Sequence, residues 1–147
     1  MPRAEILAFM QRQKLAVQAS VTAEGRPQAA VVGVVTSDDL QVFFDTLEDT
    51  RKCQNLRRDP EIALVLGWDL DEGCTVQLEG VADEPEHEEL AAWKARYFAV
   101  FPDGVARQSW PGITYFRVRP RWIRLSDFHG PTPRIVELGP HELRFRP

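Results

Sequence analysis

Period-two alternation of apolar and polar residues recurs along most of this chain, and it confines the fold to one built mainly from strands. Leu15, Val17, Ala19 and Val21 alternate with Ala16, Gln18, Ser20 and Thr22, and Leu40, Val42 and Phe44 alternate with Gln41, Phe43 and Asp45. Ile62, Leu64, Leu66 and Trp68 then alternate with Ala63, Val65 and Gly67, and Cys74, Val76 and Leu78 with Thr75, Gln77 and Glu79. Ile113 to Asp127 gives two further segments, with Trp122, Arg124 and Ser126 on one face, interrupted at Arg119-Pro120-Arg121 because proline brings no N–H to a ladder. Turn residues divide these runs at Glu24-Gly25-Arg26-Pro27, Ser37-Asp38-Asp39 and Asp69 to Gly73. At least six strands and few helices within 147 residues favour an antiparallel β-barrel, and an apolar fraction of 44% suits one core, so residues 1–147 read as a single domain.

One strand breaks the alternation. Gln28 to Thr36 contains Ala29, Ala30, Val31, Val32, Gly33, Val34 and Val35, apolar on both sides with nothing bulky. Such a strand is either buried on both faces, which the pattern favours, or has a flat object lying against it. Helices are expected at Pro2 to about Arg12, with Ile6, Phe9 and Met10 on the inner side, and from Glu84-Pro85-Glu86 to about Phe101, with Leu90, Trp93, Tyr97 and Phe101 as a core stripe. Pro102 to Pro111 reads as a loop, and the tail, with Arg134 to Leu138 and Leu143 to Phe145, as an irregular edge or dimer arm.

The stretch best suited to a ligand follows the Phe43-Phe44-Asp45 strand. Asp49 or Thr50 can cap a short helix whose apolar side is Cys53 and Leu56 and which Pro60 stops after Asp59. Thr50, Arg51 and Lys52 then fall in its first turn, where unpaired N–H groups and the positive end of the dipole meet a hydroxyl and two cations. That combination suits a phosphate monoester, while adjacent basic residues also occur on plain solvated surfaces. Thr75 and Gln77 share one strand face, which looks either at solvent or at the edge of a heterocycle.

Several classes are disfavoured. A net charge of -4 and a pI near 5.4 give no general attraction to nucleic acid, despite basic clusters at 51–58 and 117–124. No apolar run approaches the roughly 20 residues of a membrane span, and Met1-Pro2-Arg3-Ala4-Glu5 lacks a signal-peptide core, so a cytoplasmic protein is expected. Cys53 and Cys74 are isolated and read as buried small hydrophobes. No Gly-rich phosphate loop of the Rossmann or P-loop type is present.

The order Pro27 to Val32, Phe43 to Thr46, Thr50-Arg51-Lys52, Asn55-Leu56-Arg57-Arg58-Asp59-Pro60 and a strand ending in Trp68 resembles the pyridoxamine 5'-phosphate oxidase-like, FMN-binding split-barrel family. The resemblance spans Met1 to Val81 well and Ile113 to Leu138 more loosely. It implies a six-stranded antiparallel split β-barrel with flanking helices, forming a homodimer with FMN sites across its interface. By position, Arg51 and Lys52 would hold the FMN phosphate, with Thr50 and Thr46 as hydroxyl donors. Phe44 and Asp45 would line the ribityl and ring region, and Gln28, Ala29, Ala30 and Val31 would lie along the flavin. Thr75 or Gln77 would hydrogen-bond the ring or ribityl chain, and Trp110, Trp122 and Arg124 would come from the second chain. The oxidase's Arg-x-His substrate motif has no counterpart in Ile123-Arg124-Leu125-Ser126-Asp127-Phe128-His129-Gly130, and its basic strand position is Gln28 here, so the small-molecule substrate stays open.

The expected activity is that of an FMN-dependent oxidoreductase in which the flavin carries the chemistry and no side chain need be catalytic. A binding protein for another cofactor on the same barrel, a deazaflavin or haem, is the second reading, with His87, His129 and His141 as haem candidates. A structural dimer without cofactor is the third.

Overall fold

Each alternating run forms a strand of one antiparallel sheet in the computed structural model, which describes residues 2–147; Met1 of the amino-terminal run lies outside them. The elements are α1 (Pro2–Arg12), β1 (Leu15–Val21), β2 (Pro27–Gly33), β3 (Val35–Thr36), β4 (Val42–Leu47) and α2 (Arg51–Arg58), followed by β5 (Glu61–Leu66), β6 (Cys74–Asp83), α3 (His87–Val100), α4 (Gly104–Arg107), β7 (Ile113–Asp127) and β8 (Arg134–Leu138). The strand order is β2-β1-β5-β6-β7-β4-β3, with β8 paired to β7. β2 and β3 are successive pieces of one run broken only at Val34, so the two outer strands of that order join through the chain itself. The sheet therefore curls into a split barrel. At the break, a Cβ on Gly33 would come within 3.1 Å of the Phe101 ring, and the Tyr97 hydroxyl lies 3.3 Å from the Gly33 carbonyl.

Eight strands replace the expected six. The tail is not irregular, because Arg134–Leu138 extends the sheet beside β7. β7 also runs unbroken for 15 residues through Pro120. The β6–β7 register shifts at Glu79/Gly80, where Gly80 faces Pro120 and Arg121 is the extra residue, so the proline sits at a bulge. Gly80 is needed there, since a Cβ would fall 2.3 Å from the Arg119 carbonyl oxygen.

Two cores hold the sheet. Phe44, Leu64, Leu66, Leu78, Phe116, Ile123 and Leu125 fill the barrel, sealed by Ile6, Phe9 and Met10 of α1. Strand alternation sends the neighbouring Phe43 to the opposite face, where α3 covers it: Phe43 stacks on Trp93 at 5.2 Å and on Tyr115 at 5.6 Å, with Tyr97 edge-on at 5.4 Å. Each fully buried aromatic of this kind stabilises the fold by about 1.5–3 kcal/mol.

β2 overturns the expected two-sided burial. It is an outer strand of the sheet order, paired only to β1, and Ala29, Ala30 and Val31 are exposed. On β1 the bulkier apolar set, Leu15, Val17, Ala19 and Val21, points outward, and Ala16, Gln18 and Ser20 are the buried ones. Among the described residues no helix is long and apolar enough to cross a membrane.

Candidate functional site

The turn from β4 into α2 is fixed by its cap. Thr50 is extended (φ -75°, ψ 153°), its Oγ1 accepts from the Cys53 N–H at 3.3 Å, and its hydroxyl donates to the Leu47 carbonyl at 2.7 Å. With that proton committed, Thr46, whose Oγ1 lies 3.0 Å away, is the donor of the Thr46–Thr50 pair. The hydroxyl-donor roles expected of Thr46 and Thr50 are therefore taken by the cap. Gln54 N–H reaches the Thr50 carbonyl at 3.2 Å, which leaves the N–H groups of Arg51 and Lys52 as the unpaired donors of the first turn.

These donors face a cleft of about 380 Å³ lined by Gln18 and Ser20 of β1, Gln28, Ala29 and Ala30 of β2, and Arg51 and Lys52. No acidic residue stands in the first turn of α2. Arg51 and Lys52 make no ion pair among the described residues, whereas Arg57, about one and a half turns further on, is held by Glu48 at 2.7 Å and Glu84 at 2.9 Å. The helix thus places two uncommitted cations at its positive end, a costly arrangement of about 0.3–1 kcal/mol each that a bound anion would offset. Asn55, a buried residue of α2, braces two of the lining side chains: its Nδ2 donates to Ser20 Oγ at 3.1 Å and to Gln28 Oε1 at 2.9 Å, and its Oδ1 accepts from Arg58 at 3.2 Å. Gln18 is 1% exposed, and its Oε1 has no hydrogen-bond partner.

Of the residues proposed from sequence, the fold brings Gln28, Ala29, Ala30, Arg51 and Lys52 around this cleft, while Thr46 and Thr50, bonded to each other at the cap, are not among its lining residues. Phe44 is wholly buried in the barrel, so its side chain lines no open site. Asp45 turns towards α3 and α4, accepting from the Tyr97 hydroxyl at 3.1 Å and from Arg107 Nε at 3.0 Å. Burial, with Asp45 beside it, raises the Tyr97 phenol and keeps it protonated. Cys53 and Cys74 also titrate above the ordinary thiol range, chiefly because they are withdrawn from water.

Val31, Thr75, Gln77, Trp122 and Arg124 lie on the outer face of the sheet. Cross-strand pairing aligns Val31, Val17, Val65, Gln77, Arg124 and Glu137 in one row, and Ala29, Ala19, Ala63, Glu79 and Trp122 in the next. Over β2, β1 and β5 these rows are apolar and open, with Val31 60% exposed. Further along, Trp122 Nε1 lies 3.4 Å from Glu137, and Arg124 Nε is buried without a partner. Trp110 stands half exposed just beyond α4. Within one chain none of Thr75, Gln77, Trp110, Trp122 and Arg124 lines the α2 cleft.

The sequence reading missed Gln18, Ser20, Asn55 and Arg58. The available signal was a polar pair, Gln18 and Ser20, on the same strand face as Ala16. His87, His129 and His141 are all exposed.

A family model for pyridoxamine 5'-phosphate oxidase matches residues 2–127. A pyridoxine/pyridoxamine 5'-phosphate oxidase of Rubrobacter xylanophilus is 32% identical over 136 residues, which is 87% of this chain and 60% of that protein. The chain thus spans about three fifths of that relative's length. Among solved structures, a haem binding protein from Mycobacterium smegmatis superposes with a TM-score of 0.83 at 20% identity over 97% of this chain and 60% of that one. A haem storage protein from Vibrio cholerae gives 0.70 at 22% identity, covering 80% of this chain and 88% of that one. At these identities the structural likeness concerns the fold.

Proposed function

The chain belongs to the pyridoxamine 5'-phosphate oxidase family, and from that premise we propose that it is an FMN-binding flavoprotein, a homodimeric oxidoreductase acting on a small-molecule substrate. The observation that carries this reading is the α2 cleft. Arg51 and Lys52, free of carboxylate partners among the described residues, stand with two unpaired N–H groups at a helix N-terminus over a polar floor, which is the donor set a phosphate dianion takes. The unpartnered Gln18 oxygen in the same cleft fits a hydroxyl-bearing chain attached to that phosphate.

Bound FMN supplies hydride and single-electron transfer at its ring. The chain's own part is to bind and shield it. Arg51 and Lys52 hold the phosphate, Ala29 and Ala30 leave room for a flat group to approach β2, and no side chain here is assigned a proton-transfer role.

The open rows Val31–Val17–Val65 and Ala29–Ala19–Ala63 are flat and uncharged, the character of a surface buried against a twin in an isologous interface. Because Val31 and Ala29 border both that face and the cleft strand, a partner seated there would bring its own Trp110, Trp122, Arg124, Thr75 or Gln77 towards the flavin. Titration tests the cofactor: FMN should bind tightly and FAD more weakly, since the cradle at Arg51 and Lys52 suits a terminal phosphate dianion. Equal affinity for FAD would remove the terminal-phosphate role from Arg51 and Lys52. Haem is the competing cofactor, since two proteins of similar fold are a haem binding and a haem storage protein, and a visible spectrum distinguishes the two.

A further inference from the structure

Arg58 can only donate hydrogen bonds, and that fact sets the polarity of every group between it and the cleft. It reaches the Val21 carbonyl of β1 and Asn55 Oδ1, so the Asn55 amide has its oxygen towards Arg58 and its nitrogen towards the sheet. The two Nδ2 protons then go to Ser20 Oγ and Gln28 Oε1. Both receiving groups are thereby turned around. The Ser20 hydroxyl, already accepting, keeps its proton for the other side, and the Gln28 amide, its oxygen engaged, presents its nitrogen to the cleft. Neither proton-bearing atom has an acceptor elsewhere among the described residues. Gln18, buried beside them, offers the opposite polarity through an oxygen that no donor meets.

We propose that Arg58 and Asn55 are positioning residues that hold Ser20 and Gln28 as hydrogen-bond donors towards the phosphate, with Gln18 accepting from a hydroxyl of the chain that bears it. The ligand class that complements this set is the monophosphate ester of a polyol. The inference rests on the phosphate reading of the cleft given above and adds a second layer of neutral donors to its two cations. It also accounts for a neutral Gln28 at the strand position opposite α2: the residue is a fixed donor in place of a charge. A carboxylate-rich floor could only accept and would repel an anion, and one free to rotate its amides would accept as readily as donate and would not discriminate for one.

The test measures dissociation constants for FMN and riboflavin in the full-length protein, the latter lacking the phosphate. Ser20→Ala and Gln28→Leu should each raise the FMN constant about tenfold, the loss of one hydrogen bond to a charged group, and leave riboflavin within about twofold. Asn55→Asp places an acceptor where both donors are needed, so Ser20 and Gln28 turn back to it and FMN weakens by about the product of the two single effects. In that background, adding Ser20→Ala should cost nothing further. Simple repulsion between a new carboxylate and the phosphate would instead leave the Ser20 increment intact, and that result overturns the positioning role. If Asn55→Asp does not fold, the two single substitutions still decide, because unchanged FMN affinity in both contradicts the proposal. Lys52→Ala separates the layers: if it alone lowers FMN relative to riboflavin, the polarised floor is wrong while the phosphate site stands, and if none of the four variants does, the phosphate reading itself fails.

Discussion

Replacing Lys52 by alanine removes one of two cations from the first turn of α2, where the Arg51 and Lys52 N–H groups have no partner among the described residues. The ammonium has no carboxylate to lose, so the substitution leaves no buried charge behind, and its effect should fall on the ligand. Lys52 is partly buried against the cleft, which weakens competition from water. A hydrogen bond to a charged group contributes about 1.5–3 kcal/mol, or roughly a tenfold to hundredfold rise in the FMN dissociation constant, and the partial burial points to the upper end. Flavin fluorescence or calorimetric titration reads this directly. Riboflavin should bind Lys52→Ala nearly as it binds the wild type. Arg57→Ala is the internal control: that guanidinium is clamped by Glu48 and Glu84, away from the cleft, so FMN affinity should stay within about twofold while stability falls by no more than about 1 kcal/mol. Equal losses for FMN and riboflavin in Lys52→Ala, or no loss for either, would refute the reasoning.

Further outcomes follow from the same structure. Val31→Asp puts a charge in the middle of the open apolar rows and should convert a dimer to monomers at micromolar concentration by light scattering; a dimer that survives would place the interface elsewhere. Phe44→Ala empties a fully buried site in the barrel and should lower urea stability by about 3–5 kcal/mol, whereas a change of under about 1 kcal/mol would return Phe44 to the ligand-lining role expected from sequence. Burial raises the Cys53 and Cys74 thiols, so each stays neutral above the pH at which a free thiol ionises. Thiol-reactive dyes at about pH 8 should therefore modify the native protein slowly and the unfolded chain fast. Equal rates would show that neither cysteine is shielded.

Alternation made the strands legible but not which face of each is covered. β1 shows the difficulty: Val17 and Ala19 look like its core side, yet they are the open face, and Gln18 and Ser20 are buried because α2 delivers Asn55 to satisfy Ser20 from a distant part of the chain. For β2, an all-apolar strand implied two covers, while its edge position leaves the second to whatever docks there. Pro120 marks a break in any local reading, and only pairing with Gly80 turns the break into a bulge. Alternation put Phe43 and Phe44 on opposite faces, and it was α3 that covered the Phe43 face as well and made a second core there. The helix start was readable because its signals lie within a few residues: Thr50 as cap, Arg51 and Lys52 after it, and Pro60 as stop. The donor polarity of the floor was not, because it depends on Arg58 meeting Asn55 and Asn55 meeting two strands.

The visible absorption spectrum of the purified protein, taken as isolated and after incubation with FMN followed by gel filtration, tests the central claim most directly. A flavin spectrum should co-elute with the protein at one FMN per chain in a dimer, and should be lost in a Lys52→Ala/Arg51→Ala double variant which still folds. A protein that retains no flavin after incubation, or that takes up haem to the same stoichiometry in its place, would contradict it.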